Sequence, residues 1–150
     1  MKRILNINDT HATSDPVEYT CYGLGSCIGL FISDRVKGLS GGAHIPLPEP
    51  SVEGEFENAD AMISNLLQQL SLQGSDLLTL RAKVTGGARI YESVNDIGKQ
   101  NINAVTQQLI NRRIFIAAMD VGGKFSRTAR YNSVTGELRI STSEQKTYSI

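Results

Sequence analysis

An α+β layered domain, with helices gathered on one side of a mixed sheet or sandwich, is predicted by three features of this 150-residue sequence. Two stretches carry apolar residues at helical spacing, several others read as strands, and the order along the chain is strands, helix, strand, helix, strands. No internal repeat, low-complexity tract or linker-like run interrupts that order, so residues 1–150 read as a single domain.

The first half is strand-like. Arg3 to Ile7 suggests a short strand, and Cys27 to Ser33 and Leu39 to Leu47 suggest two more, separated by polar residues 34–38. Pro46, Pro48 and Pro50 end that pairing, because proline has no amide to give a ladder. From Asn58 to Leu72, the residues Ala59, Met62, Ile63, Leu66, Leu67 and Leu70 recur as one helix face, with Gly74 placed to end it. Leu78, Leu80, Ala82 and Val84 alternate with polar residues as in a half-buried strand running into Gly86-Gly87. A second helix, about Ile97 to Arg112, aligns Ile102, Val105 and Leu109, with Asn95 or Asp96 as its cap. Ile114 to Met119 is continuously apolar and predicts a central strand buried on both faces. Arg127 to Tyr131 and Glu137 to Ser141 flank a hairpin loop at 132–136.

Composition narrows the function. A globule of this length buries roughly 68–70% of the surface its unfolded chain exposes, so neither disulfide nor metal is needed for stability. The 15 Lys and Arg balance the 15 Asp and Glu, which gives no electrostatic case for nucleic acid or an anionic membrane. The opening apolar run is too short for a secretory signal, and no stretch approaches the ~20 apolar residues that span a bilayer. A cytoplasmic protein with two free thiols and no membrane insertion is the expectation.

The chemistry concentrates at Cys27 and His44. A hairpin centred between Arg35 and Val36 places Cys27 opposite His44, Gly29 opposite Gly42 and Phe31 opposite Ser40, and leaves a second face of Ile28, Leu30, Ile32, Leu39, Gly41 and Ala43 for the core. A one-residue slip would separate the pair onto opposite faces. Gly29 and Gly42 would leave room for substrate. An imidazolium beside a thiol lowers the thiol pKa, supplying thiolate for attack and a proton for a leaving amine. The preceding Gly23-Leu24-Gly25-Ser26 allows backbone amides at Gly25, Ser26 and Cys27 to converge as an oxyanion hole.

GLGSC at Gly23 to Cys27 and AHIPLP at Ala43 to Pro48 resemble the signature of the chemoreceptor glutamine deamidases, the CheD type. VTGGA at Val84 to Ala88, IGKQN at Ile97 to Asn101, DVGG at Asp120 to Gly123, Arg130, and TGEL at Thr135 to Leu138 follow in the family's order. The resemblance implies a layered α/β/β sandwich related to bacterial toxin deamidases. It also implies a cysteine that attacks glutamine carboxamides on chemoreceptor cytoplasmic helices, and methylglutamate esters as further substrates, with a histidine as acid and base and no cofactor. Cys27 and His44 stand at those positions. The family's histidine-orienting threonine is replaced by Cys21, with Thr20 one step earlier, so the ring would be held by a backbone carbonyl or by Thr20 after a local shift.

Other readings are weaker. Cys21 suits packing better than chemistry, with trapping of an oxidised Cys27 as a disulfide a further role. His11 reads as a solvated side chain. Cys21, Cys27, His44 and His11 lack zinc-ligand spacing, the glycines around Gly25 lack a dinucleotide fold's strand-to-helix context, and Ser26 lacks a serine hydrolase's elbow. The glycine pairs at 86–87 and 122–123 suit tight turns or close backbone approach. The competing function is a catalytically silent module that docks to a CheC-type phosphatase, another partner the resemblance implies.

Overall fold

The computed structural model describes every residue except Glu53 and Ser93. In chain order its elements are β1 (Lys2–Ile4), β2 (Thr10–Thr13), β3 (Glu18–Leu24), β4 (Ile28–Asp34), β5 (Leu39–Ile45), α1 (Ala59–Leu72), β6 (Leu80–Gly86), α2 (Ile97–Asn111), β7 (Phe115–Val121), β8 (Arg127–Asn132), β9 (Leu138–Thr142) and β10 (Thr147–Ser149). They form two five-stranded sheets, ordered β2-β5-β4-β6-β7 and β1-β3-β8-β9-β10. The helices cover the outer face of the first sheet, and its inner face packs on the second. Helix, sheet and sheet are thus stacked in layers, as the element order predicts.

Both helices begin at a capping side chain, and for α2 it is Asp96, one of the two caps the sequence offers. Asn58 accepts the Ala61 N–H at 3.1 Å and Asp96 accepts the Lys99 N–H at 3.0 Å, each satisfying a first-turn donor that has no partner inside the helix. The predicted stripe of α1, from Ala59 to Leu70, is buried.

The central strand β4 is buried on both sides. Ile28, Leu30 and Ile32 point to the helices, in one cluster with Met62, Ile63, Leu66 and Val105. Phe31 points the other way, between the sheets, where its ring stacks on Tyr131 with centroids 5.2 Å apart. The division of β4 into two faces is the predicted one, but the hairpin register is not. His44 lies opposite Gly29 rather than Cys27, a shift of two residues. The turn takes all four residues 35–38 instead of a two-residue loop. Gly38 supplies a left-handed φ of 67°, and Asp34 Oδ1 accepts the Lys37 N–H at 3.1 Å. A two-residue shift preserves side-chain parity, so Cys27 and His44 still share a face.

Three further expectations are corrected. Segment 114–119 is not a central strand: β7 pairs only with β6 and forms an edge, with Phe115 59% exposed beneath the Arg81 guanidinium at 5.1 Å. The apolar run misleads because Ile114, just before the strand, takes the buried position. Arg3 to Ile7 yields only the short β1, and β2, β3 and β10 lack the alternation that would have revealed them. His11 is part-buried rather than solvated, its Nδ1 2.9 Å from the Tyr19 hydroxyl.

The Asn58 cap generates a direct prediction. Asn58→Ala should destabilise the protein by about 1 kcal/mol, read as a lower denaturation midpoint at unchanged slope.

Candidate active site

Cys27 closes the loop that carries the chain from β3 to β4, and the loop is held by its carbonyls. Gly25 O accepts from Ala88 N at 2.8 Å, Ser26 O from Asn101 Nδ2 at 2.7 Å, and Cys27 O from Gly87 N at 2.9 Å. These donors lie just beyond β6 and in the first turns of α2. Gly86, with φ of 109°, lets the backbones close, since a Cβ there would collide with the Cys27 carbonyl oxygen. Close approach of 86–87 is thus what the glycines serve. Within a planar trans peptide the N–H points opposite the preceding C=O. Fixing the carbonyls of Gly25 and Ser26 therefore turns the amides of Ser26 and Cys27 away from α2. Among the described residues neither amide donates to another group.

His44 sits near the end of β5, 5% exposed, and its backbone is fixed on both sides: Asp9 O accepts its N–H at 3.1 Å, and Asn8 N donates to its O at 3.1 Å. Its Nδ1 lies 2.8 Å from Leu5 O. A carbonyl only accepts, so Nδ1 carries the hydrogen and Nε2 is left as a base. The ring's hydrogen bond comes from the Leu5 backbone, not from a Cys21 or Thr20 side chain. Thr20 contributes at one remove, its carbonyl accepting the Leu5 N–H at 2.8 Å. Cys21 is fully buried between the sheets, opposite Ala129.

Cys27 and His44 line one cleft of about 430 Å³ with Leu5, Asn6, Tyr22 and Gly23. Their strand positions are diagonal, a relation that separates Cα atoms by roughly 7–8 Å and Cβ atoms by somewhat less. Among the described residues no hydrogen bond joins the thiol to the ring. The room predicted beside them at Gly29 and Gly42 is not substrate space. A Cβ on Gly42 would come within 2.7 Å of Leu5 Cδ1, and one on Gly29 within 3.1 Å of Leu24 Cδ1. Those glycines admit the core between the sheets.

Burial sets the electrostatics. It pushes the Cys27 thiol above its ordinary pKa, and it pushes the His44 imidazole down, outweighing the Leu5 carbonyl and the Asp9 charge that act the other way. The resting pair is therefore thiol and neutral imidazole. This reverses the expected lowering of the thiol by an imidazolium, because both groups lose hydration. Cys21, more deeply buried, is also pushed up. His11, Cys21, Cys27 and His44 do not gather, and no group of three or more metal-ligating side chains occurs among the described residues.

Two contributors escaped the sequence reading. Leu5 acts through its carbonyl, which no side-chain pattern encodes. Asn101 had a signal: it stands one turn before Val105 and two before Leu109, a polar side chain on a buried helix stripe, and it is fully buried.

Known proteins resemble the chain over most of its length. The family described as CheD chemotactic sensory transduction matches residues 47–142. A probable chemoreceptor glutamine deamidase CheD of Clostridium botulinum (strain Eklund 17B) is 36% identical over 145 residues, 91% of this chain and 90% of that protein. The chain belongs to the CheD family. The chemoreceptor glutamine deamidase CheD of Halalkalibacterium halodurans is 37% identical over 147 residues, 91% of each chain. That of Thermotoga maritima is 32% identical over 143 residues, 93% of this chain and 91% of its own. The family match begins after His44, whereas alignments covering nine-tenths of the chain run across both Cys27 and His44. Among the described residues of this CheD-family chain no helix is long and apolar enough to cross a membrane.

Burial of the thiol makes its reactivity rise late with pH. Iodoacetamide should label Cys27 and spare Cys21 in the native protein. The labelling rate should still be climbing above pH 9.0, the ordinary thiol value; a rate already at plateau near neutrality would show a preformed thiolate. Labelling is read by peptide mass spectrometry.

Proposed function

We propose that this CheD-family chain is a cytoplasmic protein-glutamine glutaminase, with Cys27 as nucleophile and His44 as acid and base. The observation that carries the proposal is the cleft shared by the Cys27 thiol and a His44 ring whose Nε2 is left free by the Nδ1 bond to Leu5. The sulfur attacks the side-chain carboxamide carbon while Nε2 takes the thiol proton, so no thiolate accumulates beforehand. The carbonyl π electrons become an oxyanion, which the amides of Cys27 and Ser26 stabilise. Collapse breaks the C–N bond, and His44 returns the proton to departing ammonia. Water, deprotonated by Nε2, then attacks the thioester carbon; the C–S bond breaks, and glutamic acid and the thiol are released. A methylglutamate ester follows the same path with methanol as leaving group. Hydrogen bonds of this kind commonly tighten only with substrate bound.

The substrate side of the proposal is a chemoreceptor cytoplasmic helix. Ile4, Ile7 and Tyr22 are 52%, 44% and 53% exposed beside the cleft, and Ile90 and Tyr91 stand exposed beyond the Gly25-Ser26 loop. Such apolar borders suit a protein surface better than a free amino acid. The helix, sheet and sheet layering supports the kinship with bacterial toxin deamidases. A CheC-type phosphatase is the further partner proposed, and Cys21 in place of the hydroxyl is what favours the silent docking reading.

Ammonia release from a purified receptor cytoplasmic fragment tests these readings. Cys27→Ala should abolish release, His44→Ala should lower it by roughly 10²–10⁴-fold, and free glutamine should be turned over poorly. Equal release by wild type and Cys27→Ala overturns the nucleophile; no release by wild type favours docking.

A further inference from the structure

We infer that Asn101 is a positioning residue for the deamidation site: it fixes the peptide plane on which Cys27 presents its amide to the developing oxyanion. The inference rests on the reading of Cys27 as nucleophile.

Asn101 lies in the second turn of α2 and is fully buried. Its Nδ2 donates to two carbonyls, Ser26 O at 2.7 Å and Pro46 O at 3.0 Å. Both partners only accept, so the amide orientation is dictated by chemistry: the NH₂ faces them and Oδ1 faces away. Oδ1 has no partner. A residue needed only to fill space would not leave a buried oxygen unpaired, since a leucine or methionine would fill the volume without that cost.

The two carbonyls are not arbitrary. Ser26 O belongs to the same planar peptide as the Cys27 N–H, so holding that oxygen from the α2 side aims the nucleophile's own amide to the opposite side. Pro46 O lies two residues beyond His44. One NH₂ group therefore ties the segment bearing the nucleophile to the segment bearing the base. Gly98 brings the helix close enough: a Cβ there would collide with the carbonyl oxygens of Ala88 and Gly87, residues whose amides hold Gly25 O and Cys27 O.

Two reactions of Cys27 separate positioning from general support. Acylation by p-nitrophenyl acetate passes through a tetrahedral oxyanion, and alkylation by iodoacetamide, a displacement at saturated carbon, does not. In Asn101→Ala, the ratio of acylation to alkylation rate should fall roughly 10–100-fold, a misaimed donor costing less than the 10²–10³ of a deleted one. Alkylation itself should stay within about threefold of wild type. On the receptor fragment, kcat should fall with KM little changed. Asn101→Ser, which keeps one donor, should show a smaller deficit in the same direction and serves if the alanine variant does not fold. Parallel loss of both rates, or no change in their ratio, overturns the inference. Failure of the deamidase reading is distinct, because it appears as absence of ammonia from wild type while the two thiol reactions still judge Asn101.

Discussion

Everything in this fold that bears on chemistry depends on β4 being covered on both faces. Successive side chains of a strand point to opposite sides, so a strand held between a helical layer and a second sheet has no neutral face: each residue belongs to one core or the other. Ile28, Leu30 and Ile32 commit that strand to the helices, which sends Phe31, and Cys27 before it, toward the space between the sheets. The same constraint acts on β5, where Ala43 and Ile45 go to the helices and His44 to the other side. Thiol and imidazole line one cleft because two hydrophobic cores sort their neighbours.

The second sheet then decides what that pair can do. Leu5 follows β1 and offers its carbonyl to His44, while Tyr19, Leu24 and Phe31 fill the volume behind the pair. Desolvation by this packing keeps both groups neutral. It also leaves the ring with one nitrogen committed to a fixed acceptor, which settles the tautomer. In the proposed mechanism a histidine so held accepts a proton at the moment of attack rather than storing one in advance. The missing hydroxyl at Cys21 is consistent with this arrangement: the task of orienting the ring falls to a backbone group that substitution at position 21 does not remove.

The backbone around Cys27 shows the complementary principle. Three consecutive carbonyls, at 25, 26 and 27, are engaged from the β6 and α2 side. Because each peptide is a rigid plane, the engagement fixes the direction of the Ser26 and Cys27 amides, and among the described residues neither donates to another group. Arg127 gives the neighbouring strand end similar rigidity, with its guanidinium 3.0 Å from Asp120 Oδ2 and bonded to the Asp120 and Gly122 carbonyls.

Much of this was legible in the residues. The α1 stripe, the α2 cap, the two faces of β4, the Cys27–His44 pair and the CheD-type strings are properties of local spacing and residue type, and local spacing survives folding. The register was not legible, since a two-residue and a four-residue turn give the same face pattern and differ only in which residues stand opposite each other, as where Gly29 rather than Cys27 faces His44. Strands β2, β3 and β10 were hidden for a related reason: ladder hydrogen bonds are made by backbone shared by every residue type. What the sequence by itself determined is which side chains lie on a common face, because that follows from the period of the chain. What only the tertiary structure decided is the identity of the carbonyls that hold His44 and Cys27, and the neutral state that burial imposes on both. Those depend on which distant segments come to lie beside them.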